Sequence, residues 1–232
     1  MRVRVKHNAN GKIRFLSHRD TAGVWERVIR RAKLPIAYTE GFHTRPKLHF
    51  GLALSVGHES DAEYLDIDLR ETMPLDGLAE LLSDLMPPGL DICEVGEVLD
   101  RSGSLQQMVD SVVWECVVPT GADGITDRLG EILASETHPI DVIRKSKPTS
   151  IDLRPVISSV ESHRDSSDEL TLLVELLTSG RSVRPAEFLT ALEADVPLVR
   201  VRRRHQFIAS DHGPLTPMHP DVLAPLARSG VG

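Results

Sequence analysis

The sequence predicts an α+β fold made of two tandem ferredoxin-like (βαββαβ) domains, and three observations predict it. In the first hundred residues, apolar patterns of period two and of period 3.6 alternate in the order β, α, β, β, α, β, the split βαβ arrangement. After a short polar stretch, DRSGS at 100–104, the same order returns with one strand added. With 41% apolar residues over 232 positions, each half has enough apolar side chains for a core of its own. The expected domains are 1–102 and 103–208. A flexible tail rich in Pro, Gly and Ser follows at 209–232, in which PDVLAPLA can dock as a single helical turn.

The elements follow in chain order. RVRVK alternates with period two, NANG offers a turn and KIRFLS alternates again, so the chain begins as one strand or as a strand pair with a tight hairpin. Val3, Val5, Ile13 and Phe15 then face the core, and Arg2, Arg4, Lys6, Lys12 and Arg14 face away from it. Ser17 and Asp20 form a capping-box pattern ahead of a helix on which Ala22, Trp25, Val28, Ile29 and Ala32 recur at helical spacing. Pro35 ends that helix, and Arg27, Arg30, Arg31 and Lys33 read as its solvated face. Beyond it the chain is extended, with Gly41, Pro46 and Gly51 limiting any regular strand. Over 42–50, Phe42, Thr44, Pro46, Leu48 and Phe50 share the side that fits a core, while His43, Arg45, Lys47 and His49 form a cationic row on the other.

AEYLDIDL reads as a strand, LDGLAELLSDLMPPG as an acidic amphipathic helix closed by two prolines and a glycine, and LDICEVGEVLD as a strand. In the second half DSVVWECVVP is a strand and GITDRLGEILAS a helix. IDVIRKSK, DLRPVISSVES and ELTLLVELLTS are strands, RPAEFLTALEAD is a helix, and PLVRVRRRHQFI is the closing strand.

Charge is distributed unevenly. The net charge of -7 conceals twelve Lys or Arg against three acids in residues 1–50, and three Arg against nineteen acids in 51–136. A localised anionic partner fits this better than general stickiness, although basic and acidic segments can also pair with each other on folding. No apolar run approaches the length of a membrane span, and MRVRVKHNANGK alternates charge with Val where a signal peptide is apolar, so the expected compartment is the cytoplasm. Cys93 and Cys116 are too few and too far apart for a disulfide framework or a cysteine-ligated cluster, and both read as buried thiols. Walker, GxGxxG, HExxH and GxSxG patterns are absent.

The cationic row suits phosphates. Arg14, His18, His43, Arg45, Lys47 and His49 are the expected contacts, Tyr38 can stack on a base, and Arg202 and Arg203 form a weaker second patch. A catalytic alternative uses His18 or His43 as general acid or base, with Asp20 as an orienting carboxylate, for metal-independent RNA cleavage at the 2'-hydroxyl. His43 and His49 with Asp66 or Asp68 are metal-ligand types, but nothing in the sequence fixes their distances, and no metal or cofactor is expected.

The segment GKIRFLSHRDTAGVWERVIRRAKLPIAYTEGFHTRPKLHFGLALSVGHESDAEYLDIDL resembles the radical SAM-linked protein family, a domain of unknown function found beside, or fused to, cobalamin-binding radical SAM proteins. The family pattern of RFLSH.D, ER..RRA.LP..Y, GF...PKL.FG and VG.ES.AEY.D is matched in order. Where the family has GFNPHP, this chain carries GFHTRP. The resemblance implies a radical SAM partner and no established reaction. This chain lacks the CxxxCxxC cluster motif and would position a substrate for that partner. The arrangement is also similar to the RAMP-type CRISPR RNA-processing proteins, which build RNA sites on tandem ferredoxin-like domains. The first expectation is therefore a non-catalytic accessory module that binds RNA or an RNA-containing assembly, or another polyanion, through residues 2–50 and works with a radical SAM partner. The alternatives are the RNA-processing endonuclease above and a protein-interaction module whose basic half docks an acidic partner.

Overall fold

In the computed structural model, which describes residues 1–99, 103–119, 124–144, 146–166, 169–179, 182–194 and 199–224, the N-terminal alternation builds one strand, β1 (Arg2–Ala9). Residues 11–15 do not return as a hairpin partner. Both edges of β1 are taken by strands from later in the sequence, so Gly11–Phe15 folds as a 3-10 turn, closed by Asn10 N–H donating to the carbonyl of Gly89 at 2.7 Å. Ile13 still packs on the core, whereas Phe15 is exposed beneath the Arg14 guanidinium.

Next comes α1 (His18–Arg31), whose first turn is closed by the expected reciprocal capping box of Ser17 and Asp20. Val24, Trp25, Val28 and Ile29 are its buried face. Beyond α1 the chain forms β2 (Leu48–Phe50), β3 (Glu59–Asp68), α2 (Leu78–Leu85), β4 (Ile92–Glu97) and α3 (Leu105–Met108). The strands run in the order β4-β1-β3-β2, each antiparallel to its neighbour. In register, Val3 lies opposite Ile67 and Val5 opposite Leu65, so the inner face of this sheet packs on α1 and α2. These elements belong to one compact unit, Met1–Val109 together with Gln206–Gly232.

A second unit, Asp110–His205, contains β5 (Ser111–Val118), α4 (Ile125–Ala134), β6 (Pro139–Arg144), β7 (Lys147–Asp152), β8 (Ile157–Arg164), β9 (Leu170–Leu177), α5 (Pro185–Ala191) and most of β10 (Arg200–Phe207). Its strand order is β10-β5-β9-β8, with β6 and β7 as a separate antiparallel hairpin. Two strands are therefore added here, not one. The extra strand, Lys147–Asp152, lies over PTSI, between the strands expected over IDVIRKSK and DLRPVISSVES, and the latter is regular only from Ile157, past the 3-10 turn Arg154–Val156, where Pro155 has no N–H to donate to a ladder. Lys147–Asp152 pairs with β6, and Ile157–Arg164 pairs with β9.

With that hairpin set aside, both units show the same order of fourth, first, third and second strand. The architecture is mixed α+β with mostly antiparallel strands and few helices. Among the described residues, no helix is long and apolar enough to cross a membrane.

The expected flexible tail is only partly outside the structure. Residues 225–232, together with the expected linker positions 100–102, lie outside the described residues. Residues 209–224 pack on the first unit and end in α6 (Pro220–Leu223), the helical turn anticipated in PDVLAPLA. Met218 joins Ala62, Tyr64 and Leu105 in a second apolar cluster on the outer face of β3. Leu223 sits against Gly96, where an added Cβ would lie 2.7 Å from its Cδ1.

Candidate anion-binding groove

One face of α1, from Arg19 to Arg30, and the segment that follows the helix face each other across a groove. Helix α1 ends as Lys33 N–H donates to the carbonyl of Arg30 and Leu34 N–H to that of Ile29, with Lys33 in the left-handed region at φ 54°. The chain then runs antiparallel to the end of β3, with Ala37 N–H donating to Asp68 at 2.8 Å and Lys47 N–H to Ala37 at 2.9 Å. Between these anchors, residues 39–45 form a loop. Its neck is pinned by Thr39 N–H on the Arg45 carbonyl (2.8 Å) and Arg45 N–H on Thr39 Oγ1 (3.0 Å). Gly41, at φ 116°, makes the reversal that puts Phe42, His43 and Thr44 at an exposed tip.

The groove between this segment and α1 has a volume of about 940 Å³. Arg19, Arg30, Lys33 and Arg45 line it, with Glu26 as the single carboxylate and Tyr38 half exposed at the edge. Among the described residues, none of the four cations is in an ion pair. All four are exposed to solvent, which leaves them available to an anionic ligand.

The other basic residues of the first fifty are differently placed. Arg2 holds Asp68 through two bonds of 2.7 and 3.1 Å, and Arg4 holds Asp66 through two of 2.7 and 2.9 Å. These outward positions of β1 are thus neutralised by the acidic strand beside them, and Arg4 is buried, contrary to the expectation of a free basic face. Arg14 donates to Glu59 at 3.2 Å.

The cationic row expected over 43–49 is split, because only 48–50 is regular strand. Arg45 reaches the groove and His43 stays on the loop tip, while His49 turns to Asp68 at 2.9 Å beside Arg2. Burial pushes the Asp68 carboxyl up, but hydrogen bonds from Arg2 and His49 outweigh it and hold the group down at about 2. Lys47 is half-buried beside this cluster and is pinned through its backbone. Phe42, expected in the core, is fully exposed.

His18 packs edge-on against Phe50, 4.9 Å between ring centres, and lines a small cleft of about 50 Å³ together with His7 and Glu63. Asp20 accepts from Ser17 Oγ at 2.6 Å and from Ser17 N–H at 3.2 Å, so its carboxylate closes the helix cap and does not orient a histidine. Arg203 is 2% exposed with its guanidinium 4.8 Å above the Trp114 ring, so it cannot be part of a surface patch, and Arg202 is half-buried. Asp66 and Asp68 are engaged by arginines, and among the described residues no three His, Cys, Asp or Glu side chains are grouped to hold a metal. Cys116 is buried as expected and its thiol is pushed up to about 12 by that burial, but Cys93 is exposed. Sequence reasoning missed Arg19, Arg30 and Lys33 as a site. Their signal was the charged face of α1, which without the facing loop looks like any solvated helix face.

A family model described as "Uncharacterized protein conserved in bacteria (DUF2344)" matches residues 2–185. No curated protein matches. Among solved structures, a crystal structure of a Cbf5-Nop10-Gar1 complex is similar at 8% identity and a TM-score of 0.49, over 90% of this chain and 50% of that one. The present chain thus spans about half the length of that match. A second, "Crystal structure of putative glycine cleavage system transcriptional repressor", is similar at 10% identity and a TM-score of 0.24, over 86% of this chain and 95% of that one. Neither likeness extends to function.

Proposed function

The chain belongs to the uncharacterized bacterial family DUF2344, and from that premise we propose that it is a non-catalytic module that binds the phosphate backbone of RNA in the groove beside α1. The observation that carries this reading is the set of four cations, Arg19, Arg30, Lys33 and Arg45, unpaired among the described residues and converging on one groove with a single opposing carboxylate. A surface that neutralises its own charge, as Arg2 and Arg4 do with Asp68 and Asp66, has little left for a ligand. The α1 groove has not done so.

The repeated strand order of the two units supports tandem ferredoxin-like domains as the scaffold. The resemblance of residues 11–69 to radical SAM-linked proteins supports a radical SAM enzyme as partner in the cytoplasm. With two cysteines and no CxxxCxxC, this chain would hold the nucleic acid while its partner performs the chemistry.

The test is RNA binding across a salt series. If four phosphates are neutralised on a single strand, log K falls against log salt with a slope of about -3, or roughly fifty-fold between 50 and 200 mM. Arg30→Ala/Arg45→Ala should halve that slope and leave the RNA uncut, as wild type does. Salt-independent retention, or a double variant that binds like wild type, refutes the groove as the site. Cleavage lost on His18→Ala or His43→Ala refutes the non-catalytic role.

A further inference from the structure

We infer that the nucleic acid taken by the α1 groove is single-stranded, its bases stacking on Tyr38 and Phe42. This rests on the phosphate-binding reading above and names the substrate class of that same site. Phe42 is 106% exposed, at the tip of a loop whose neck is closed by two hydrogen bonds between Thr39 and Arg45. The ring therefore stands at the tip of a closed loop and buries none of its surface on the rest of the chain. Tyr38 is 49% exposed at the base of the same loop and lines the groove with Arg45. The two rings thus stand at the base and tip of one loop, Tyr38 in the groove lining and Phe42 three residues before Arg45.

A phosphate backbone alone gives an exposed phenylalanine nothing to contact. An unpaired base does, since every base offers a π face, and stacking on aromatic side chains is the usual complement to a cationic track in single-strand binding. A duplex keeps its bases stacked on each other and presents only phosphate and sugar to such a surface. His43, between Phe42 and Arg45 in the same loop, adds a further group able to meet sugar or phosphate.

The experiment uses the full chain and three probes in the same low-salt buffer: a mixed-sequence 16-nucleotide single-stranded RNA, the same sequence annealed to its complement, and inorganic polyphosphate, which has charge but no bases. The expected order of affinity is single strand first, by at least ten-fold over the other two. Phe42→Ala and Tyr38→Ala should each weaken single-strand binding five-fold or more while leaving polyphosphate binding unchanged, and Tyr38→Phe should bind as wild type. Phe42 makes no core contact, so its variant should also keep the wild-type melting temperature. Equal affinity for single strand and duplex, or a Phe42→Ala variant that loses nothing, overturns this inference while leaving the cationic groove in place. Failure of all three probes to bind overturns both.

Discussion

Arg4 and Asp66 face each other across β1 and β3 with side chains only 1% and 3% exposed, joined by two hydrogen bonds, and the second arm of Arg4 donates to the Pro217 carbonyl at 3.0 Å. Removing one member leaves the other charged, buried and alone. Arg4→Ala should therefore destabilise the protein by about 3–5 kcal/mol, whereas Arg4→Ala/Asp66→Ala should cost far less than Arg4→Ala and Asp66→Ala added together. Urea unfolding of the three variants measures this, and additivity would show that the pair is not coupled. Asp68 makes a related prediction for pH. Its folded carboxyl is held at about 2 against an ordinary 3.8, so the unfolded chain binds the proton first. Stability from this group is complete above pH 4 and is lost as pH falls from about 4 to 2. Asp68→Asn should flatten that part of an acid-unfolding profile. His7, buried against Trp25 and held neutral by desolvation, adds an earlier loss as pH drops below 6.5, which His7→Gln should remove if the variant folds. None of this was legible in RVRVK. Alternation correctly placed Arg4 away from the core, but the pairing register and the segment around Pro217 that bury it come from 62 and 213 residues further along.

Helix α1 was legible because its determinants are local: a capping box, Trp25, Val28 and Ile29 at helical spacing and a proline beyond its end. The 3-10 turn after β1 was not, because the reason KIRF cannot pair with β1 is that β3 and β4 already do. The 42–45 loop was misread for a similar reason. Alternation gave Phe42 an inward direction, but a period-two argument holds only inside a regular strand, and the strand begins at Leu48. The end of α1 carries the sharpest test at this scale. Lys33 occupies the left-handed region that favours glycine, at a cost of about 1 kcal/mol, while its ammonium lines the groove. Lys33→Gly should then raise stability by about 1 kcal/mol and weaken RNA binding a few-fold, two effects of opposite sign in one variant. If stability rises and affinity holds, Lys33 is a helix terminus and no more.

At the scale of the whole molecule, the basic first fifty residues contain two sets of cations that composition cannot separate. The twelve cations of residues 1–50 include Arg2, Arg4 and Arg14, which are matched to Asp68, Asp66 and Glu59, and the groove set, which is matched to nothing among the described residues. Only pairing in space assigns each arginine to its class. Arg2 and Arg4 also lie on the side of the sheet away from the groove. Helix α1 packs on the face carrying Val3, Val5, Leu65 and Ile67, while the segment ending in α6 covers the face carrying Arg4, Ala62 and Tyr64. Stability on one side and binding on the other should therefore separate experimentally. Deleting residues 216–232 removes Met218 from the apolar cluster with Tyr64 and Leu105 and takes the Pro217 carbonyl from Arg4. The truncated chain should lose several kcal/mol of stability. It should also bind a dye that reports exposed apolar surface, yet below its melting temperature hold RNA within about two-fold of the full chain, because every groove residue lies in 19–46. Should the truncation abolish RNA binding while α1 remains folded by hydrogen exchange, the outer face and not the groove would be where the nucleic acid sits.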